Sequence, residues 1–513
     1  MRRPSRLRLL LGPLEPLLTP AGALAGCALG WALSAPFSSN PWAMGLCWWG
    51  VALTLWSVQL ERPWLEVLPF PPLTVLALHL FLRWELGGML LLLVREAEGD
   101  VEVWVQHVAQ ALPINALFTT GLVAAAVVNR AWLRSRPLPD PAGEPTHPME
   151  AGFGRRQLLL LTALTGCVAI SFPIVGLISG TLDRGAAYME WAGRFWRPDM
   201  LLVSLIRLRD LYFILLPWLL WRWRHSARVV VLFLVPTALS LLASAILGGR
   251  GLLLYPTLLL LGGCWLAGCR PILLRWVLLA SALAALLLVA VTPVVRRTMA
   301  FQQSAATDVG GRVAAIETGL RQVKPASTLS LVGRDLYAWS DPYLFKEPGL
   351  SLPPAGNKRL AHLLYLWIPR AMMPERPELN DGHLIAKEII GDPQIGTHQG
   401  RHVWFPGISM GADLYWRYRW PGVIIGSLFF GLAYAAFCRF WYRFANLNQN
   451  NTSVLIALFP STFLQGPPLR SVLETAWNWL YELPKYLVVC IVMCLLINAI
   501  NHFAQPPQPA AKN

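Results

Sequence analysis

Between residues 296 and 419 the sequence gathers side chains suited to handling phosphate and protons. Four of the nine histidines (His362, His383, His398, His402) lie there with Arg312, Arg321, Arg334, Arg359, Arg370, Arg376, Arg401 and Arg417. An arginine guanidinium is a planar fork that matches phosphate oxygens and keeps its proton, so it can stabilise a departing diphosphate. The same transfer needs a base at the acceptor hydroxyl, which His, Asp or Glu can supply. From this group Arg370, Arg401 and His398 are the candidate catalytic residues, and Arg376, His402 and Asp413 the candidate substrate-binding residues. For any one of these arginines the plain alternative is a solvated loop residue. The spacing His398-Gln-Gly-Arg-His402 would put two metal ligands on one helix face. Gly396 and Gly400 argue against a regular helix, however, and no general base accompanies the pair, so no metal and no cofactor are expected.

A second set lies inside an apolar stretch, where Arg207, Arg209 and Asp210 interrupt Leu201 to Trp221. Ionisable groups at membrane depth are unfavourable unless they pair or face a polar cavity. Arg207 and Arg209 are therefore candidate substrate-binding residues, with a local Arg–Asp packing pair as the alternative.

The elements that position these residues follow from composition. The chain has 513 residues, 55% hydrophobic and 14% charged, with mean hydropathy +0.48. Apolar runs of membrane-spanning length recur from Leu18 to Ile500. A soluble enzyme, a nucleic-acid-binding domain and a disordered scaffold would each need more polar surface. Approximate spans fall at 18–36, 42–60, 65–82, 109–129, 157–178, 200–221, 229–248, 252–268, 275–295, 420–438, 453–469 and 484–502. The third is interrupted by Pro69, Pro71 and Pro72, and a second apolar run at Met89 to Val94 follows it.

The net charge of +15 is placed by the same reading. With the basic N-terminus inside as an uncleaved first span, alternation puts each basic connector on the inner side. These connectors carry Arg130, Arg134 and Arg136; Arg155 and Arg156; Arg222, Arg224 and Arg228; Arg270 and Arg275; and Arg439 and Arg443. The acidic stretch 95–102 and the long polar segment 296–419 then lie outside. The eight cysteines sit in or beside apolar runs, with no disulfide framework or zinc motif. The expected fold is an all-α polytopic membrane protein of about twelve transmembrane helices with one large, mainly helical outer loop domain. About nine spans fall in 1–295, the loop in 296–419 and about three spans in 420–513.

Three quoted segments carry a resemblance: Ile368-Pro-Arg-Ala-Met-Met-Pro-Glu-Arg-Pro377, Gly396-Thr-His-Gln-Gly-Arg-His-Val-Trp-Phe-Pro-Gly407, and Met410 to Gly426 with Gly411, Tyr415, Pro421-Gly422 and Gly426. Together they resemble the O-antigen polymerase (Wzy-type) and oligosaccharide repeat-unit polymerase superfamily, closely over the last quarter of the chain and elsewhere by topology. The resemblance implies a metal-independent glycosyltransferase of the bacterial inner membrane, with both termini cytoplasmic. Its substrate would be undecaprenyl-diphosphate-linked oligosaccharide, joined at the periplasmic face into O-antigen or exopolysaccharide. Implied partners are the bilayer, a chain-length regulator and a flippase, without nucleic acid. It carries over Arg370 and Arg401 as basic loop residues and Gly411, Gly422 and Gly426 as tight-packing positions. The sequence departs from the pattern at Gly180 to Asp199, a short loop holding only Arg184, Arg194 and Arg197 where some polymerases carry a second sizeable one. O-antigen ligase shares this architecture and donor and differs in acceptor. A polysaccharide or lipid transporter would show similar halves and paired broken helices, and neither is visible.

Overall fold

The computed structural model describes residues 15–62, 72–93, 100–132, 155–178, 201–246, 340–347, 350–365, 382–392, 407–447 and 471–477, with short runs and single positions between 256 and 499. These residues are mainly helical: α1 (Pro20–Ser34), α2 (Pro41–Leu60), α3 (Pro72–Leu80), α4 (Leu86–Leu92), α5 (Asp100–Trp132), α6 (Arg155–Ile178), α7 (Leu201–Arg222), α8 (Ala227–Ile246), α9 (Met410–Leu447) and α10 (Val472–Trp477). Four stretches among them are long and apolar enough to cross a membrane, Pro41–Leu60, Pro72–Leu92, His107–Asn129 and Met410–Arg439. Shorter apolar helices cover Leu158–Ser171, Leu211–Arg222 and Ala227–Leu241. The chain is a helical membrane protein. Its expected spans at 275–295, 453–469 and 484–502 fall almost wholly outside the described residues.

Helix starts follow local chemistry. The Thr19 hydroxyl accepts from the Gly22 amide at 3.0 Å ahead of α1, and the Asn40 side chain accepts from the Ala43 amide at 3.0 Å ahead of α2. Pro20 and Pro41 stand at the first helical position, where no amide proton is needed. In the third span the described helix runs from Pro72 through a π-helical turn, Phe81–Glu85, to Leu92, taking in most of the second apolar run. The Glu61 carboxylate accepts from the amides of Leu73 (3.0 Å) and Thr74 (2.6 Å).

Two apolar cores result. The larger joins α2, α3, α4, α5 and α9 and includes Met44, Leu76, Trp84, Leu112, Phe118 and Trp416. The smaller joins α6, α7 and α8 around Leu161, Tyr212, Phe213 and Leu259. Exposed leucines, valines and phenylalanines on the outer faces of α8 and α9, such as Leu232, Val235, Ile425 and Phe429, form the surface expected against lipid.

In its described residues the 296–419 segment is helical in short pieces: 3-10 turns (Asp341–Leu344, Leu360–Tyr365), Gly382–Leu384 running into a π-helical turn (Ile385–Ile390), and the first turns of α9 from Met410. Beside them are two antiparallel hairpins, β1 (Phe345–Glu347) with β2 (Leu350–Ser351) and β3 (Thr397–His398) with β4 (Arg401–His402). Gly/Pro punctuation every few residues keeps these pieces short.

Candidate functional site

The loop enters the bundle at Tyr337 and Asp341, and a buried polar centre forms there. Gly87 on α4 permits the approach, since a Cβ at that position would stand 2.6 Å from the Tyr337 amide nitrogen. Asn115, one turn into the apolar middle of α5, donates through Nδ2 to the Tyr337 hydroxyl (3.2 Å) and to Asp341 Oδ2 (3.1 Å). Ser409, at the start of α9, uses each of its polar groups. Its amide donates to Asp341 Oδ1 (2.8 Å) and its hydroxyl to Asn115 Oδ1 (2.9 Å), while that oxygen accepts from the Ala412 amide (3.1 Å) as the helix cap. Two residues from distant segments, Asn115 of α5 and Ser409 of α9, thereby fix the Asp341 carboxyl, which is fully buried.

The electrostatics of Asp341 follow from that shell. Burial pushes its carboxyl up to about 6, while hydrogen bonds from Ser409 and Asn115 work in the opposite direction. The start of α9 adds the favourable end of a long helix dipole. A carboxylate that titrates near neutrality and sits where a loop meets a membrane bundle has the properties of a general base. The Tyr337 phenol is pushed well above its ordinary range, first by burial and then by the acidic groups around it, Asp341 foremost. It keeps its proton.

A turn further along α9, Asp413 and Arg417 form a buried pair. Arg417 Nε donates to Asp413 at 3.0 and 3.1 Å, and its Nη1 to the carbonyls of Gly356 (3.1 Å) and Lys358 (2.7 Å). Asp413 also accepts from the Val472 amide at the start of α10 (2.7 Å). The pair ties the loop and α10 to α9. Immediately afterwards α9 kinks at Arg419 (φ 60°, ψ −155°), two residues before Pro421, whose missing amide proton cannot complete the helical ladder. Arg419 is held by a hydrogen bond to the Leu352 carbonyl and by its guanidinium 5.3 Å over the Tyr415 ring. Close packing at the kink falls where the sequence suggests. A Cβ on Gly422 would stand 2.6 Å from the Tyr418 Cβ, one on Gly426 2.4 Å from a Leu414 methyl, and one on Gly411 3.0 Å from the Phe118 Cβ.

The sequence-derived candidates distribute as follows. Asp413 is fully buried with its oxygens engaged by Arg417 and Val472. His398, Arg401 and His402 lie on the β3–β4 hairpin, with His398 opposite Arg401 and Thr397 opposite His402. The two histidines thus stand on paired strands instead of one helix face. Arg207 and Arg209 lie on α7, and their side chains fall outside the described residues, as do Arg370 and Arg376 altogether. Among the described residues no group of three or more His, Cys, Asp or Glu side chains is close enough to hold a metal ion. Asn115, Tyr337, Asp341 and Ser409 escaped the sequence reading. The usable signal was Asn115, a lone amide within an apolar span. The chain matches no family model, no curated protein and no solved structure.

Proposed function

We propose that this protein joins lipid-diphosphate-linked oligosaccharide units at the outer face of a bacterial inner membrane, as a glycosyltransferase of the polysaccharide polymerase kind. In this reading about twelve spans hold the 296–419 loop on the periplasmic side, with both termini in the cytoplasm. One observation carries it: Asp341, a loop carboxylate that titrates near 6, is seated by Asn115 and Ser409 among helices able to cross a membrane. Such a group suits removal of the proton from an acceptor sugar hydroxyl. The arginines of the loop, Arg401 and Arg370 foremost, supply fixed cations for the departing diphosphate. No nucleotide sugar is needed when the donor carries its own activated diphosphate.

The test is a deletion strain analysed for lipid-linked and final glycans. Loss of a polymerase leaves single repeat units and no long ladder, because flipping and ligation continue. Complementation by the wild-type gene, and not by Asp341→Asn, restores the ladder. Long polymer accumulating on lipid diphosphate would instead identify a ligase, and unchanged glycans in every fraction would remove the transferase reading.

A further inference from the structure

The π-helical turn Phe81–Glu85 places a second carboxyl within electrostatic reach of Tyr337. Glu85 is fully buried inside the Pro72–Leu92 stretch, and neither of its oxygens has a hydrogen-bond partner. Space for it is made by Gly50 on α2, where a Cβ would stand 2.2 Å from the Glu85 Cγ. The indole nitrogen of its neighbour Trp84 is likewise buried without a partner. A π-helical turn in a span often marks a functional position, because the extra residue re-aims a side chain inward.

The titratable groups bearing on this pocket are Cys47 on α2, Tyr337 on the loop and, through Tyr337, Asp341; Arg83 stands two residues earlier on the same turn. The two carboxyls are provided for oppositely. Asp341 receives two donated hydrogen bonds, from Ser409 and Asn115, which support a negative charge. Glu85 receives none, and an ionised carboxylate without donors at membrane depth is strongly disfavoured. Two neighbouring acids in unlike surroundings take unlike protonation states, and that division assigns acid and base.

We propose that Glu85 is a proton-binding site of this protein, the acid counterpart of Asp341, holding a proton in the resting state while Asp341 holds the charge. The proposal deepens the transferase reading, and it rests on that reading only for its use in catalysis. Tyr337 lies within electrostatic reach of both groups and has its hydroxyl on the same Asn115 that serves Asp341.

A lipid-soluble carbodiimide tests this, because it adds across a protonated carboxyl that it reaches through the apolar phase. Purified full-length protein in detergent is treated with dicyclohexylcarbodiimide across a pH series, and the adduct is mapped by peptide mass spectrometry. The expected result is one adduct on the Glu85 peptide, falling as pH rises and absent in Glu85→Gln, with little labelling by a water-soluble carbodiimide. A wild-type protein unlabelled at Glu85 at every pH, or labelled there to the same extent at every pH, overturns the proposal. The wild-type measurement decides even if the Gln variant fails to fold. Labelling involves no sugar transfer, so an adduct with the expected pH dependence sustains the site in a protein that proves not to be a transferase.

Discussion

At the scale of single residues, Asp341 governs the pH behaviour. Its folded value of about 6 lies above the ordinary carboxylate value of 3.8, so the folded protein binds this proton more tightly than the unfolded chain does. Its contribution to stability is therefore fully present below about pH 4 and is lost as pH rises through 6, by at most about 3 kcal/mol. Activity runs the other way, because a base must be ionised. The transfer rate should fall about tenfold per pH unit below 6, and Asp341→Asn should abolish transfer while flattening the stability profile between pH 4 and 6. A rate profile flat between pH 5 and 7 would exclude Asp341 as the base. Arg401→Ala should abolish polymer formation at near-normal protein level, with partial recovery in Arg401→Lys, since one fixed cation at a diphosphate contributes about 3 kcal/mol to the transition state. Full activity of the Ala variant would make Arg401 a solvated loop residue. Sequence reasoning found arginines because charge type and clustering are visible in one dimension. It passed over Asp341 because Ser340-Asp-Pro342 has the composition of an ordinary turn, and only the chain's path sets it against residues 226 positions earlier and 68 later.

At the scale of elements, α9 carries the junction between loop and bundle. The Asp413–Arg417 pair is buried on both sides (1% and 0% exposed), and its remaining groups bind Gly356, Lys358 and Val472. Removing one member leaves an uncompensated charge, so Arg417→Ala should destabilise the protein by about 3–5 kcal/mol. The double variant Asp413→Leu with Arg417→Met should lose less than that, and the thermal unfolding midpoint in detergent compares them. Equal losses would show that the hydrogen bonds to the loop and to α10 matter more than the charge imbalance. Most of these elements were legible from the sequence. Helices were expected at 18–36, 42–60, 109–129, 157–178, 200–221 and 229–248, and helices occupy all six regions because twenty-residue apolar runs have few alternatives in lipid. The contact that holds the Pro72 end was not legible, because its partner, Glu61, precedes Pro72 by eleven residues and stands at the end of the previous helix. The extension of α9 back to Met410 was hidden for a similar reason, since the charges Asp413, Arg417 and Arg419 break its apolar run and the partners of its first turns come from α5 and the loop.

At the scale of the whole molecule, orientation decides which donor the loop can meet. Each basic connector falls on one side when spans alternate, and positive charge in short connectors is retained in the cytoplasm. The structure adds a geometric link between the loop and two other outward-assigned points. The α2 start meets the α4 end through the Ser39 amide and Leu92 carbonyl (2.8 Å), and Gly333 of the loop packs against Leu91. The start of α2, the end of α4 and the loop at Gly333 therefore share one end of the bundle, as alternation requires of segments on one side. Orientation can be read at Met372, a loop residue 79% exposed and remote from the Asp341 centre in sequence. Met372→Cys in a background with all eight native cysteines replaced should react with a membrane-impermeant maleimide in intact spheroplasts, while a cysteine at Arg224, in a connector that the charge rule assigns to the inner side, should react only after lysis. The reverse pattern would put Asp341 and the arginines in the cytoplasm, where nucleotide sugars are available and a diphosphate-activated lipid donor is no longer needed. Reaction at both positions before lysis would show leaky spheroplasts, which a cytoplasmic marker enzyme measured in the same sample detects.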